Sequence, residues 1–209
     1  YEAGQAGVGD IFAWFVEHAL PPEYHQQAAA EGVSLHELLT QKAAARKPGE
    51  SGLLALDWWN GCRTPLVNAT LSGVGLGYSL NTRPEDVYRA LIEATAYGTR
   101  VIIEAFEEHD VPVHEIVATG GLPDRNPMLM QIYADVTGRE MKVSRSAQTC
   151  ALGSAIAAAV VGKAHKSFAA AQKAMCGIKP KTFKPNKKAV AVYQQLYAQY
   201  KKLHDSLGI

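Results

Sequence analysis

The chain has 209 residues, of which 47% are hydrophobic, and a formal net charge of +1. This size and composition are typical of one globular domain with a substantial core. The balance of 21 basic and 20 acidic residues provides no global attraction to nucleic acid or to an anionic membrane, and no stretch approaches the ~20 apolar residues of a membrane helix. Three cysteines without paired metal spacing favour a reducing compartment, so we expect a cytoplasmic protein.

The first half of the chain predicts two helices followed by two strands. Asp10 is the predicted cap of the first helix, which two prolines end, and Ser34 with Glu37 predicts a capping box for the second. The runs "GLLALDWW" and "PLVNATLSGVGLGYSL" predict strands, joined by the turn "NGCRTP". The apolar stripe of the first helix comprises Ile11, Phe12, Phe15 and Val16.

The second half alternates helices with short strands. Thr82 with Glu85 predicts a capping box at the start of a long helix. The strand "EIVATGG" leads into a helix that ends at Gly138, and "EMKVSR" predicts a further strand. A helix of small residues at 149–162 can lie close to a neighbour, and a last helix runs from about residue 186 to residue 207. This α/β alternation predicts a sheet flanked by helices.

Two glycine-containing segments each lead into a helix. Gly120 and Gly121 follow the strand "EIVAT", and Gly9 ends the segment "EAGQAGVG". The first-turn N–H groups of a helix are free and carry partial positive charge, so bare backbone there can receive an anion or a polar ring edge. Two such entrances predict a nucleotide site, although either glycine segment could also be a simple turn. Neither has the Walker or the Rossmann spacing, which excludes those two nucleotide-binding folds.

Several segments, in this order, resemble the C-terminal domain of the FGGY family of carbohydrate kinases. The resemblance implies an α/β domain of the ribonuclease H-like, actin-like ATPase type over residues 1–209, with a mixed sheet flanked by helices. It also implies that the first strands of this sheet and a sugar-binding N-terminal domain precede the chain. The matching segments, within residues 1–165, are "EAGQAGVGDIFAWF", "LLALDWWNGCRTPLVNATLSGVGLG", "EDVYRALIEATAYGTRVIIEAF", "TGGLPDRNPMLMQIYADVTG" and "CALGSAIAAAVVG".

The resemblance implies an enzyme that moves the γ-phosphoryl group of ATP onto a sugar hydroxyl, with Mg²⁺, in a cleft between two domains. The segments "EAGQ" and "DWWNGCR" resemble the branch that converts L-ribulose to L-ribulose 5-phosphate in L-arabinose catabolism. Kinases of xylulose, ribitol or glycerol remain alternatives, as does a catalytically silent nucleotide- or sugar-sensing module or an actin-like assembly module. The expected partners are ATP, a pentulose and the protein's own N-terminal domain, without nucleic acid or membrane, and a homo-oligomer is left open.

By position, the resemblance assigns Gly9, Gly120, Gly121 and Asn126 to nucleotide binding and Glu2 to the sugar. A carboxylate is a strong acceptor for sugar hydroxyls, and phosphates prefer backbone N–H groups that no side chain covers. Structural alternatives stay open for three of these residues. Glu2 could be a solvated acid, Gly9 a helix lead-in, and Asn126 the cap of the helix that begins near residue 127.

No residue of this chain is assigned as catalytic base or metal ligand. In the family the catalytic aspartate lies in a Gly-Asp-Gln element followed by Gly-Thr-Gly, and both are expected upstream of Tyr1. We therefore expect this polypeptide alone to be inactive. After the first strand, Asn60 and Arg63 either face the cleft or form a structural turn, whereas Trp58 and Trp59 are expected in the core or at the domain interface.

Overall fold

The computed structural model describes residues 1–208, in which short strands are embedded among helices. The helices are α1 (Val8–His18), α2 (Pro22–Glu31), α3 (Leu35–Ala44), α4 (Pro84–Glu108), α5 (Leu122–Arg125), α6 (Pro127–Thr137), α7 (Thr149–Val161), α8 (Phe168–Met175) and α9 (Lys187–Leu207). The strands are β1 (Leu54–Leu56), β2 (Val74–Leu76), β3 (Ile116–Ala118) and β4 (Met141–Val143).

The strands form two small sheets of opposite type. β1 pairs antiparallel with β2, with Leu54 opposite Leu76, and β3 pairs parallel with β4, with Ile116 opposite Met141. Small sheets flanked by helices agree with the predicted α/β class. β1 and β2 are much shorter than the strands predicted over residues 52–59 and 65–80, because the backbone between β1 and β2 turns repeatedly.

Helix α4 is the centre of the fold. Every residue from Tyr88 to Gly98 is buried, and the helix packs against α1, α3, α6 and β1. α9 packs in turn against α6 and β1. Over residues 88–98 the helix is buried on all sides, so the apolar stripe predicted from periodicity covers only part of its contact surface there.

The charged residues of α4 are paired inside the core. The Arg89 guanidinium donates to the Glu93 carboxylate (2.8 Å), to the Tyr193 hydroxyl (2.9 Å) and to the carbonyl of Ala43 (3.0 Å). The Tyr193 hydroxyl donates to the same Glu93 carboxylate (2.7 Å). Burial raises the pKa of Glu93, and the neighbouring guanidinium opposes that rise. This network links α3, α4 and α9, since a buried charge without its partner is costly.

Two predicted helix caps are wrong. Gly7 adopts the left-handed conformation (φ 74°) at the start of α1, so Asp10 lies within the first turn and does not cap it. At α4 the Asp86 carboxylate accepts from the backbone N–H of Arg83 (2.9 Å), whereas the predicted box began one residue earlier, at Thr82. The shift follows from the proline at the first position of α4, where a missing N–H costs nothing.

The other helix ends are mostly as predicted. Ser34 and Glu37 form both halves of their capping box, and Asn186 caps α9 with its side chain. Gly138 ends α6 in the left-handed conformation (φ 66°). Helices α2 and α8 were not predicted: the two prolines expected to end the first helix do lie just after α1, and the second of them also begins α2.

Gly98 allows close packing of α4 against Asp57, and this close approach can be tested. A β-carbon at Gly98 would collide with the Asp57 carboxylate and the Gln5 amide, whereas one at Gly153 in α7 has no atom within 4 Å. We expect Gly98→Ala to destabilise the chain by about 1–3 kcal/mol. The matched Gly153→Ala should stabilise it by about 0.5–1 kcal/mol. Urea unfolding measures both, and a stabilising Gly98→Ala would contradict the close packing.

Candidate functional site

A cleft of about 400 Å³ lies at the edge of the β3–β4 sheet. Because the two strands are parallel, their carboxyl ends meet at one edge, and the loops that follow them lie side by side. One loop contributes Gly120 and Gly121, and the other contributes the start of α7. The lining residues are Gly120, Gly121, Asp124, Arg125, Ala147, Gln148, Thr149 and Cys150.

The two glycines present bare backbone to this cleft. Gly120 has φ 88°, a conformation that residues with side chains rarely adopt, and no atom lies within 4 Å of the position of a β-carbon there. At Gly121 the nearest atom to such a β-carbon is Nε of Arg125, at 4.0 Å. The turn is therefore tight and also open to a ligand. The helix that follows, α5, has only four residues, so its dipole contributes little.

The first turn of α7 supplies the longer helix entrance at the cleft. This helix has 13 residues, and its first backbone bond runs from the N–H of Leu152 to the carbonyl of Gln148 (2.9 Å). The N–H groups before Leu152 are therefore free of intrahelical partners and lie at the positive end of the helix. The sequence alone did not predict this helix entrance, because residues 149–162 were expected only to pack against a neighbour. Within the described chain, Ile156 is the one buried residue of α7.

Asn126 acts within the protein as a helix cap. Its Oδ1 accepts from the backbone N–H of Leu129 (2.9 Å), and its Nδ2 donates to the hydroxyl of Thr40 (3.3 Å). The residue is 7% exposed and is not among the residues that line the cleft. The capping alternative stated above is confirmed, and it makes Asn126 the residue that separates α5 from α6.

Gly9 lies in the first turn of α1, where its N–H precedes the first helical hydrogen bond, from Ile11 to the carbonyl of Gly7 (2.9 Å). It is exposed, and no atom lies within 4 Å of the position of a β-carbon. This is the open helix entrance that the glycine pattern indicates. The cleft at Gly120, however, is lined by other residues, so the two predicted entrances do not share one cavity in this chain.

Glu2 lies on an extended segment beside the loop that follows β1. Its carboxylate accepts from the Arg63 guanidinium (2.6 Å), and both side chains are exposed, to 72% and 61% respectively. The backbone N–H of Gly4 donates to the Thr64 hydroxyl (3.1 Å). The structure thus joins the segments "EAGQ" and "NGCRT", which are about 60 residues apart, into one surface, and Arg63 contacts the predicted sugar-binding carboxylate.

Trp58 is a core residue, as predicted. It is buried, and its ring meets the His204 ring edge-on, with centroids 5.1 Å apart. Trp59 is half-buried at the edge of the core and lies against Trp14, with centroids 6.2 Å apart.

Within residues 1–208, no group of three or more His, Cys, Asp or Glu side chains is arranged to hold a metal ion. None of the helices in the same range has both the length and the apolar character needed to cross a bilayer. The three cysteines, Cys62, Cys150 and Cys176, are free thiols.

Residues 1–161 match the C-terminal domain of the FGGY family of carbohydrate kinases. The chain belongs to this family. Its fold is similar to that of xylulose kinase from Rhodospirillum rubrum (TM-score 0.74, 24% identity, 98% of this chain and 38% of that one). It is also similar to Plasmodium falciparum glycerol kinase with ADP (TM-score 0.70, 17% identity, 97% of this chain and 37% of that one). These likenesses show that the chain has the fold of the matching part of these two proteins.

Curated relatives include the ribulokinase of Geobacillus thermodenitrificans, 56% identical over 212 residues, and that of Mycolicibacterium smegmatis, 49% identical over 208 residues. Each alignment covers 100% of this chain but only 38% and 37% of the respective relative. The chain therefore spans less than two fifths of the length of the relatives it matches.

The exposed Arg63–Glu2 pair should contribute little to stability, because solvent screens it and both side chains lose freedom on pairing. We expect Arg63→Ala to change the free energy of unfolding by less than about 0.5 kcal/mol. The matched Arg89→Ala, which breaks the buried pair with Glu93, should cost about 3–5 kcal/mol. Chemical denaturation of the two variants checks this, and a comparable loss from both would mean that the Glu2 segment depends on its ion pair.

Proposed function

We propose that this chain is the nucleotide-binding, C-terminal part of an ATP-dependent kinase that phosphorylates the terminal hydroxyl of L-ribulose. The observation that supports nucleotide binding is the cleft at the β3–β4 edge, where bare glycine backbone faces the first turn of α7. Membership of a sugar-kinase family supports phosphoryl transfer. Identity of 56% over the whole chain to a ribulokinase supports L-ribulose as the acceptor.

The proposed nucleotide contacts are made mainly by backbone. Gly120 and Gly121 let the adenosine approach the main chain, and the free N–H groups at the start of α7 donate to it. Asn126 contributes by capping α6 and so fixes the turn that follows the glycines. Gly9 offers its open helix entrance to the phosphates when the two domains of the whole protein close around ATP.

The proposed acceptor contact is made by Glu2. A carboxylate accepts hydrogen bonds from sugar hydroxyls, and the bond from Arg63 limits the rotation of the Glu2 side chain. The exposure of both side chains leaves the second carboxylate oxygen of Glu2 free to meet a substrate.

The chemistry itself needs groups beyond this chain. Phosphoryl transfer requires a base or an orienting carboxylate for the attacking hydroxyl, and we assign neither to residues 1–209. Mg²⁺, when bound, would neutralise the charge of the transferring phosphates, and we assign no ligand for it to this chain. We propose a cytoplasmic protein, consistent with the three free thiols, in which this chain alone is inactive.

Gly121→Val tests the nucleotide site in the full-length protein. Gly121 has φ −84° and open space around a β-carbon, so valine fits the backbone but fills the approach to the cleft. We expect the Kd for ADP, measured by calorimetry, to rise about tenfold or more, a cost of at least ~1.4 kcal/mol. Stability should change by less than about 1 kcal/mol. Unchanged ADP affinity in a folded variant would rule out this cleft as the nucleotide site.

The acceptor is tested by a coupled assay of ADP release with the full-length protein. L-ribulose should give the highest kcat/KM among L-ribulose, D-xylulose, ribitol and glycerol, because the whole chain is 56% identical to a ribulokinase. The isolated chain, assayed in parallel, should give no turnover. A higher kcat/KM with another acceptor would replace L-ribulose in the proposal, and ADP binding without turnover of any acceptor would favour a nucleotide-sensing module.

A further inference from the structure

The segment that carries Glu2 has no regular structure of its own, yet it is held at one buried point. Residues 1–5 are neither helix nor strand. Gln5 Nε2 donates to Asp57 Oδ2 (2.5 Å) and to the carbonyl of Thr95 (2.8 Å), and Gln5 Oε1 accepts from the Thr99 hydroxyl (2.9 Å). One amide side chain therefore makes three hydrogen bonds, all to residues more than 50 positions away.

The partners of Gln5 are themselves fixed in the core. Asp57 is 5% exposed, and its other carboxylate oxygen accepts from the Tyr200 hydroxyl (2.8 Å). Thr95 is fully buried on α4, and Gly98 on the same helix has no β-carbon to obstruct the Gln5–Asp57 contact. A buried carboxylate that loses a donor carries a large desolvation penalty, so the energy of this network resists any movement of the Gln5 amide.

A single loop holds the segment at both of its ends. The loop begins at Asp57, which binds Gln5, and ends at Arg63 and Thr64, which bind Glu2 and Gly4. Glu2 is three residues from Gln5, at most about 10 Å of extended chain. The ion pair between Glu2 and Arg63 is exposed and weak, so the hydrogen bonds of Gln5 determine the position of the segment.

We propose that Gln5, bound to Asp57, Thr95 and Thr99, is a positioning residue that sets the place of the Glu2 carboxylate for the acceptor sugar. This inference rests on the proposed function of Glu2. Gln5 itself touches neither substrate nor nucleotide. Its loss misplaces the acceptor-binding carboxylate and leaves the distant cleft at Gly120 intact.

The test uses Gln5→Met in the full-length protein, which keeps the length of the side chain and removes its donor and acceptor. The KM for L-ribulose should rise about tenfold or more, because small misplacements of a binding group are costly. The KM for ATP should stay within about twofold, because the cleft at Gly120 is formed by other residues and Gly9 is held by the packing of α1. Thr99→Val removes the donor to Gln5 Oε1 together with the contact of that hydroxyl with the carbonyl of Thr95 (3.0 Å), and it keeps both bonds of Gln5 Nε2. It should give a smaller rise in the KM for L-ribulose, so it serves if Gln5→Met folds poorly.

Tyr193→Phe is the matched control, because it removes buried hydrogen bonds between α4 and α9 that do not reach the Glu2 segment. It should lower Tm and leave both KM values unchanged. The positioning role would be overturned if Gln5→Met raised both KM values equally, or if it lowered Tm without raising either KM. Glu2→Gln separates the two proposals. A higher KM for L-ribulose in Glu2→Gln but not in Gln5→Met overturns only the inference, and no change in Glu2→Gln overturns both.

Discussion

The burial of α4 over residues 88–98 is the constraint on which the rest of the structure depends. Solvent cannot satisfy the charged side chains of this stretch, so they need partners in neighbouring elements. Arg89 and Glu93 find theirs in α3 and α9. The backbone carbonyl of Thr95 and the hydroxyl of Thr99 bond to the Gln5 side chain, which brings the N-terminal segment against the helix. The requirement for satisfied polar groups thus specifies where three separate parts of the chain lie.

Two candidate binding surfaces follow from different physical causes. The cleft at Gly120 results from parallel pairing, which places two strand-to-helix loops at one edge and exposes backbone N–H groups. The Glu2 surface results from side chains, because the loop that follows β1 holds an otherwise irregular segment. Backbone suits a ligand with phosphates and a planar ring, whereas a carboxylate suits hydroxyls. The division matches an enzyme that binds a nucleotide and a sugar.

Local signals in the sequence predicted local structure well. The capping box at Ser34 and the terminal glycine of α6 depend on residues within one turn, and both are confirmed. Gly120 and Gly121 were recognisable as a strand-to-helix junction for the same reason. The role of residues 147–150 and the Gln5–Asp57 bond could not be recognised in the sequence, because strand pairing and tertiary packing bring these residues to their partners. Even for α4, periodicity revealed the helix but not its burial on every side.

The central claim is that main chain at the β3–β4 edge binds the nucleotide. A crystal structure of the full-length protein with a non-hydrolysable ATP analogue tests it most directly. The account predicts adenosine density in van der Waals contact with the backbone of Gly120 and Gly121, next to the first turn of α7. Clear nucleotide density elsewhere, with this cleft filled only by solvent, would contradict it.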